Sequence, residues 1–456
     1  NLRMDGSFLL GTYGSAGSEN GCFQLFDEKG APAITAGGEE EVRPTDGLWA
    51  FADSLRVGGK DLPYDAYNRE FFLPLPDTVR ESGRLATMVE AKWAGEAEGL
   101  SLRICGQVVG NDGRVCLKNI DCEMPATIDV LRNGEEIVAS APLNMTFLPV
   151  VEVSAKKCNT DSYVMGRLRV TDPNEDGYDA VMNAGFRYRG ASSTMYPKKS
   201  FAVKLYDAEG NSLNHEFFGL RNDNNWILDA MYNDDVCMRN RVSTDLWNDI
   251  ATQPYHRRKG WEKKAKTGTR GRFVEVICNG RYHGLYCMTE KIDRKQLKLK
   301  KFVAAKRDEN GAYLSLDTIH STLYKAVNWT YEVFMGHDFE ANTYPQKAPS
   351  AYYNNLKREG WAGYEIKYPD WEKERTDWGP LWNAVNFVAT ANDEAFDEEV
   401  DAFFDYPVLR DYYLFAEIIL AKDNSGKNMY YFNYDQRGSE CSKMLGLTPW
   451  DLDATW

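Results

Sequence analysis

Two groups of oxygen-bearing side chains stand close together near the C-terminal end: Asp423-Asn-Ser-Gly-Lys-Asn428 and, after a hairpin-like segment, Asp451-Leu-Asp453. A carboxylate, a side-chain amide and a second acidic cluster in this order suit phosphoryl transfer. That chemistry needs little covalent help. It needs positioned phosphates, a cation to neutralise charge and a group to orient the attacking hydroxyl. Asp423 is the candidate to accept or orient the hydroxyl proton. Asn428 offers a neutral oxygen to a hard cation. Asp451 offers a carboxylate from the far end of the hairpin Asn428–Pro449, and Asp453 can add a second. Oxygen-only ligands suit magnesium or manganese. A D-x-x-x-x-N spacing alone is weak, because acidic residues in a loop are usually just solvated. Here it follows an α-rich segment and precedes two strands and an acidic tripeptide, which gives it weight.

A phosphate cradle is the next requirement. The polar run Arg189-Gly-Ala-Ser-Ser-Thr-Met-Tyr-Pro-Lys-Lys-Ser200 offers one. Arg189 opens it, Gly190 permits close backbone approach, Ser192, Ser193 and Thr194 bring hydroxyls, and Lys198 and Lys199 add charge. It is neither a Walker A sequence nor G-x-G-x-x-G, and an ordinary polar hairpin loop is an equal reading. Lys204, on the strand that follows, is placed to reach phosphates from a sheet; a surface lysine lying along its own strand is the alternative. Glu290 and Asp293 follow directly on a hairpin, where a protein kinase places its hinge. The basic stretch His256–Arg272 reads first as a solvated loop and second as a docking surface for an acidic substrate or phosphate.

The elements that must position these residues are legible in outline. Residues 1 to 146 read as a β-rich, sandwich-like domain, with strands at Ser101–Val109 and Ala126–Leu131 and turns at Asn111-Asp-Gly113 and Asn133-Gly134. A second unit starts at 147. Strands are expected at 147–153, Gly166–Val170, Gly185–Arg189 and Phe201–Tyr206, the last with Phe201, Val203 and Leu205 on one face. A helix is expected over Asp235–Ile250, capped by Asp234 or Asp235, with Met238, Val242, Leu246 and Ile250 as its apolar stripe. Asn279-Gly280 marks a hairpin between Arg272–Cys278 and Arg281–Met288. Helices follow at Trp378–Val388, Asp393–Phe404 and Pro407–Leu420. The fold class is therefore α+β, with a β-rich lobe at about 147–290 and an α-rich lobe at about 291–456.

Composition excludes several classes. The chain has 456 residues and a formal net charge of -14, which disfavours nonspecific nucleic-acid binding. No apolar run is long enough to span a bilayer. No signal peptide is visible, yet the start Asn1-Leu-Arg-Met-Asp-Gly6 has the look of a trimmed or mature end and is compatible with export. The nine cysteines contain no C-x-x-C pair, and the five histidines form no ligand cluster. Cys278 and Cys287 sit in strand-like runs and read as small core residues.

Read together, the residues resemble the CotH kinase-like family of spore-coat-type atypical protein kinases, over about residues 147–456. The resemblance rests on Arg189-Gly-x-Ser-Ser, Pro197-Lys-Lys-Ser-Phe, Trp226-Ile-Leu-Asp-Ala-Met-Tyr-Asn-Asp234, Met238-Arg-Asn240 and Asn279-Gly-x-Tyr-x-Gly-Leu-Tyr286. It continues through Thr289-Glu-Lys-Ile-Asp293, Gly363-Tyr-Glu-Ile-Lys-Tyr-Pro369, Asp423-Asn…Lys-Asn428 and Pro449-Trp-Asp-Leu-Asp453. It implies an atypical, two-lobed kinase fold that binds ATP with Mg2+ or Mn2+ and phosphorylates serine on a protein substrate. It implies that Asp423 is the catalytic aspartate, Asp451 the metal-binding aspartate and Asn428 the second metal ligand. Family members are often exported or surface-associated. The expected helix at Asp235–Ile250 carries no glutamate to pair with a strand lysine, and Arg239 and Asn240 are the residues on offer for that ordering role. A non-catalytic alternative is a pseudokinase, or a surface or adhesion protein acting through the N-terminal β-domain. A small-molecule kinase of the same fold is a third reading, because fold does not fix the acceptor.

Overall fold

Alternating apolar residues and Asn-Gly turns build most of this chain into sheets, and strand outweighs helix, 36% against 17%. The computed structural model describes residues 46–174, 179–352 and 358–456. The start at Asn1, Cys22 and the rest of the expected β-structure before residue 46 lie outside the described residues. There are two compact units. One is the chain up to Asp235 together with Arg272–Thr289; the other is Val236–Gly271 together with Glu290–Trp456.

The first unit opens with two sheets over one core. A four-stranded sheet contains Ala52–Val57 and Arg84–Trp93, and a six-stranded sheet contains Glu70–Pro74, Leu100–Ile104, Ala126–Arg132 and Glu136–Thr146. Leu55, Val89, Phe71, Leu102, Ile128 and Val130 fill the space between them. The single strand expected over Ser101–Val109 is instead a hairpin, Leu100–Ile104 pairing with Gln107–Val108 across a turn at Cys105-Gly106, both with positive φ. A closed barrel follows. Its strands are β1 (Val150–Ala155), β2 (Val164–Thr171), β3 (Asp179–Arg189), β4 (Ser200–Tyr206), β5 (Asn225–Asp229), β6 (Gly271–Cys278) and β7 (Arg281–Thr289), in the order β1-β2-β3-β4-β5-β7-β6. Phe201, Val203 and Leu205 point inward with Phe186, Trp226 and Val276, as the alternation on β4 requires, and Cys278 joins that core. Cys287 is also buried. Asn279 and Gly280 both take positive φ in the β6–β7 turn. The sandwich is fastened to the barrel within this unit. The Ala66 N–H donates to the Gly280 carbonyl (2.7 Å), and Phe72 packs on Tyr282 at 4.8 Å between ring centres.

The second unit holds an antiparallel sheet with strands β8 (Thr322–Ala326), β9 (Tyr364–Tyr368), β10 (Met429–Asn433) and β11 (Gly446–Pro449), in the order β9-β8-β10-β11. Its longer helices are α1 (Arg239–Ile250), α2 (Gly379–Thr390), α3 (Asp393–Phe403) and α4 (Tyr406–Ile418). Trp378, Leu381 and Val385 of the α2 region pack with Tyr324, Phe415, Tyr431 and Leu452. The Asn392 side chain caps α3 by accepting from the Ala395 N–H (2.9 Å).

Helix α1 departs from expectation. It starts at Arg239, neither Asp234 nor Asp235 caps it, and of its apolar stripe only Leu246 packs on the core: Met238, Val242 and Ile250 are 47%, 44% and 49% exposed. The buried face carries Arg241, Ser243, Thr244 and Trp247. The reason is hydrogen bonding. Arg241 forms a bidentate pair with Asp245 (2.9 and 2.6 Å) and also donates to the Thr269 carbonyl (2.8 Å). The Trp247 indole N–H donates to the Thr267 carbonyl (3.0 Å). The helix buries the side that can satisfy these backbone carbonyls, and only Trp247 supplies deep apolar packing.

The basic stretch His256–Arg272 is divided in the same way. Lys263, Lys264 and Lys266 are exposed, in keeping with a solvated loop. Arg258 instead pairs with the buried Asp405 (2.7 Å), and Arg257 donates to the Ala265 carbonyl (2.9 Å). His256 is fully buried; Nε2 bonds the Leu297 carbonyl (3.0 Å), and Nδ1 has no partner. The ring stacks on Tyr434 at 4.7 Å. Burial lowers its pKa from 6.5 to about 4, so the unfolded chain binds the proton first as pH falls. Stability contributed by neutral His256 is therefore present above about pH 6.5 and lost as pH drops toward 4. We expect a loss of about 2 kcal/mol between pH 7 and pH 5 from this group. Chemical denaturation at the two pH values, beside His256→Phe with a flatter dependence, checks it; equal slopes for both proteins would contradict it.

Candidate active site

The Asp423 loop is built by the end of α4 and the start of β10. After α4, Leu420 turns the chain with positive φ, a short 3-10 turn carries Lys422–Asn424, and Asn428 takes φ +57° just before β10. Asparagine is among the few residues that adopt this left-handed conformation at low cost. Asn424 is the pin of the loop. It is fully buried, its backbone carbonyl accepts from the Tyr412 hydroxyl (2.6 Å), and its amide nitrogen donates to the carbonyls of Trp450 (2.7 Å) and Asn428 (3.3 Å). The Trp450 N–H in turn donates to the Asn428 carbonyl (3.0 Å), extending the β10–β11 pairing in which Met429 faces Pro449. Asp451, with φ +62°, is the next residue. So backbone bonds and one buried amide tie the Asp423–Asn428 loop to the Asp451–Asp453 loop.

Side chains complete the arrangement. Asn428 donates its amide N–H to Asp423 Oδ2 (2.6 Å), and Lys427 pairs with Asp423 Oδ1 (2.9 Å). Asp423 keeps 34% of its side chain exposed, so it is oriented yet reachable. With its nitrogen committed to Asp423, the atom Asn428 has left to offer is its carbonyl oxygen. Lys427 also lies over the Trp329 ring, 5.3 Å from its centre. Among the described residues no three His, Cys, Asp or Glu side chains gather as a metal cage. A magnesium-type ion fits this donor set, because it is usually held by one or two carboxylates plus water and substrate phosphates. Asp451, Asp453 and the Asn428 oxygen are the protein ligands such an ion would take.

Gly426 explains why the loop needs a glycine between its functional residues. A Cβ there would lie 2.6 Å from the Phe334 ring, which is itself stacked on Trp329 at 5.1 Å. We expect Gly426→Ala to cost about 1–3 kcal/mol by overpacking. Urea denaturation measures it, and Phe334→Leu in the same protein should recover much of the loss; an undisturbed midpoint in the single variant would contradict the account.

The expected cradle lies in the first unit, on the hairpin between β3 and β4, where Arg189 faces Ser200. Gly190 has φ +121°, and a Cβ there would meet Ser193 Oγ at 1.7 Å, so only glycine fits. Gly190 and Ser192 are exposed. Lys199 turns to its own loop and donates to the Thr194 carbonyl (2.7 Å); partial burial lowers its pKa. Lys198 donates to the Leu285 carbonyl and lies over the Tyr286 ring at 4.3 Å. These two lysines brace the hairpin. Lys204 sits on the outer face of the barrel over the Tyr163 ring, at 4.5 Å. Glu290 belongs to the second unit, is buried, accepts from the Arg270 N–H (3.1 Å) and lies 3.7 Å from the Arg270 guanidinium. Asn424 and Lys427 are the neighbours that the sequence reading included in the motif without giving them a role. Their position inside the D-x-x-x-x-N interval was the available signal.

The oxygen donors of Asp423, Asn428, Asp451 and Asp453 thus lie on two loops tied by backbone hydrogen bonds and the Asn424 amide. The family model described as CotH kinase protein matches residues 186–456, more than half of the chain, and the chain belongs to that family. The matched residues include Asp423, Asn428, Asp451 and Asp453, and they begin later than the resemblance from about 147 had suggested. Inner spore coat protein H of Bacillus subtilis (strain 168) is 24% identical over 271 residues, which is 59% of this chain and 58% of that protein. The chain thus spans less than two thirds of that relative's length.

Proposed function

We propose that the chain is an ATP-dependent phosphotransferase that modifies a serine hydroxyl on a protein, with magnesium or manganese. The observation that carries this reading is the Asn428–Asp423 hydrogen bond (2.6 Å) on a loop whose Asn428 carbonyl also accepts the Trp450 N–H. In this reading Asp423 is the base and the Asn428 oxygen and Asp451 carboxylate face the ion; the backbone tie between their two loops supports it. In the step, the serine oxygen bonds to the γ-phosphorus, the bond from that phosphorus to the β,γ-bridging oxygen breaks, and ADP leaves. Asp423 orients the hydroxyl and takes its proton, then releases it to solvent. The divalent ion, when bound, supplies charge neutralisation on the phosphates, and Asn428, Asp451 and Asp453 hold it. Arg189, Gly190, Ser192, Ser193, Lys199 and Lys204 are assigned to phosphate binding and Glu290 to the nucleotide, as a separate part of the reading.

The catalytic domain in this reading is 147–456, with lobes at about 147–290 and 291–456, and the sandwich up to 146 is an accessory. A role outside the cytoplasm fits the spore-coat relative. No helix among the described residues is long and apolar enough to cross a membrane. Calorimetric titration of the full chain with ATP tests the reading: binding that requires Mg2+ or Mn2+ supports it, and absence of binding with either ion overturns it.

A further inference from the structure

The polar face of α1 has a consequence for the Asp451–Asp453 loop. Leu452, between the two acidic residues, is held at every backbone polar group. Its N–H donates to Asn240 Oδ1 (3.1 Å), and its carbonyl accepts from the Thr455 hydroxyl (2.8 Å). The Thr455 proton is spent on that carbonyl, so the Ser243 hydroxyl, 3.0 Å away, is the donor to Thr455 Oγ1. Ser243 Oγ accepts in turn from the Trp456 indole N–H (3.0 Å). A directed chain therefore runs from Trp456 through Ser243 and Thr455 to Leu452. Ser243 and Leu452 are fully buried and Thr455 is 4% exposed, so these bonds form away from competing water. The Leu452 side chain is sunk in the apolar core of the unit. The backbone between Asp451 and Asp453 is therefore fixed at Leu452.

We propose that Asn240 and Ser243 of α1 are positioning residues that set the cation-binding geometry of Asp451 and Asp453. The inference rests on the function proposed above. It assigns to α1 a task performed with neutral hydrogen bonds, which is why the helix carries a buried polar stripe and no glutamate. Residues that hold metal ligands from behind typically change metal affinity or activity by about 10–100-fold when removed.

The test is direct Mn2+ binding, read from loss of the free ion's paramagnetic resonance signal, on the full chain with a non-hydrolysable ATP analogue. Asn240→Leu removes the acceptor and is expected to weaken Mn2+ binding by about 10–100-fold. Asn240→Asp, which keeps an oxygen at the same point, should stay within about 3-fold of wild type. Ser243→Ala breaks the other anchor and should weaken binding in the same direction; it carries the test if Asn240→Leu does not fold. Amide exchange at Leu452 should accelerate in both weakened variants. A merely structural role would lower melting temperatures while leaving the Mn2+ affinity of the folded protein unchanged, and that result overturns the inference alone. Wild-type protein that binds no Mn2+ with nucleotide overturns the proposed function, and the inference with it.

Discussion

Asp451→Asn is expected to reduce metal-dependent phosphoryl transfer by about 10³-fold or more while leaving the fold intact. The magnitude follows from removing a charged ligand from the cation that neutralises the transferring phosphate. The fold is expected to survive for a specific reason. Asp451 takes φ +62°, a left-handed conformation that asparagine adopts at least as readily as aspartate. The neighbouring anchors also do not use its charge: the Trp450 N–H to Asn428 and the Leu452 N–H to Asn240 are backbone donors. Melting temperature and transfer rate, measured on the same preparation, separate the two effects. Full transfer by Asp451→Asn would remove this residue from the metal site.

Asp423→Ala is the second large effect, and its signature differs. Loss of the group that orients and deprotonates the acceptor hydroxyl should cost about 10²–10⁴-fold in transfer. Nucleotide binding should persist, because Asn428 is also held through its backbone by Ala326 (3.0 Å) and Trp450 (3.0 Å). Its side-chain anchor is lost, so the metal requirement should rise a few-fold. Equal transfer by the variant and the wild type would exclude Asp423 from the chemical step.

Most single strands of the barrel were legible because their information is local, whereas its closure was not read. Period-two burial on β4 and the Asn279-Gly280 turn each state a register within a few residues. The loop from Asp423 to Asn428 was legible by order and spacing for the same reason. Helix α1 shows where local reading ends. Its apolar stripe at Met238, Val242, Leu246 and Ile250 correctly announces a helix, yet all but Leu246 are exposed, because the partners of the opposite face come from far along the chain. The bond from Leu452 to Asn240 joins residues 212 apart. Periodicity finds a face; it does not say which face has hydrogen-bond partners waiting. Lys198 and Lys199 show the same limit. Their letters do not reveal the carbonyls of Leu285 and Thr194 that they meet in the fold. Asn424 was marked by its place in the D-x-x-x-x-N interval, but its role was not readable, because its partners Trp450 and Tyr412 belong to other segments.

The central claim is that Asp423 and the Asp451 loop together transfer phosphate, and the direct test is transfer of labelled γ-phosphate from ATP. The acceptors would be the protein itself and a serine-containing polypeptide, with magnesium or manganese, beside Asp423→Ala. The account predicts label on serine that vanishes without the metal and in the variant. Label that survives in Asp423→Ala, or no label from a wild-type protein that binds ATP and metal, would contradict it.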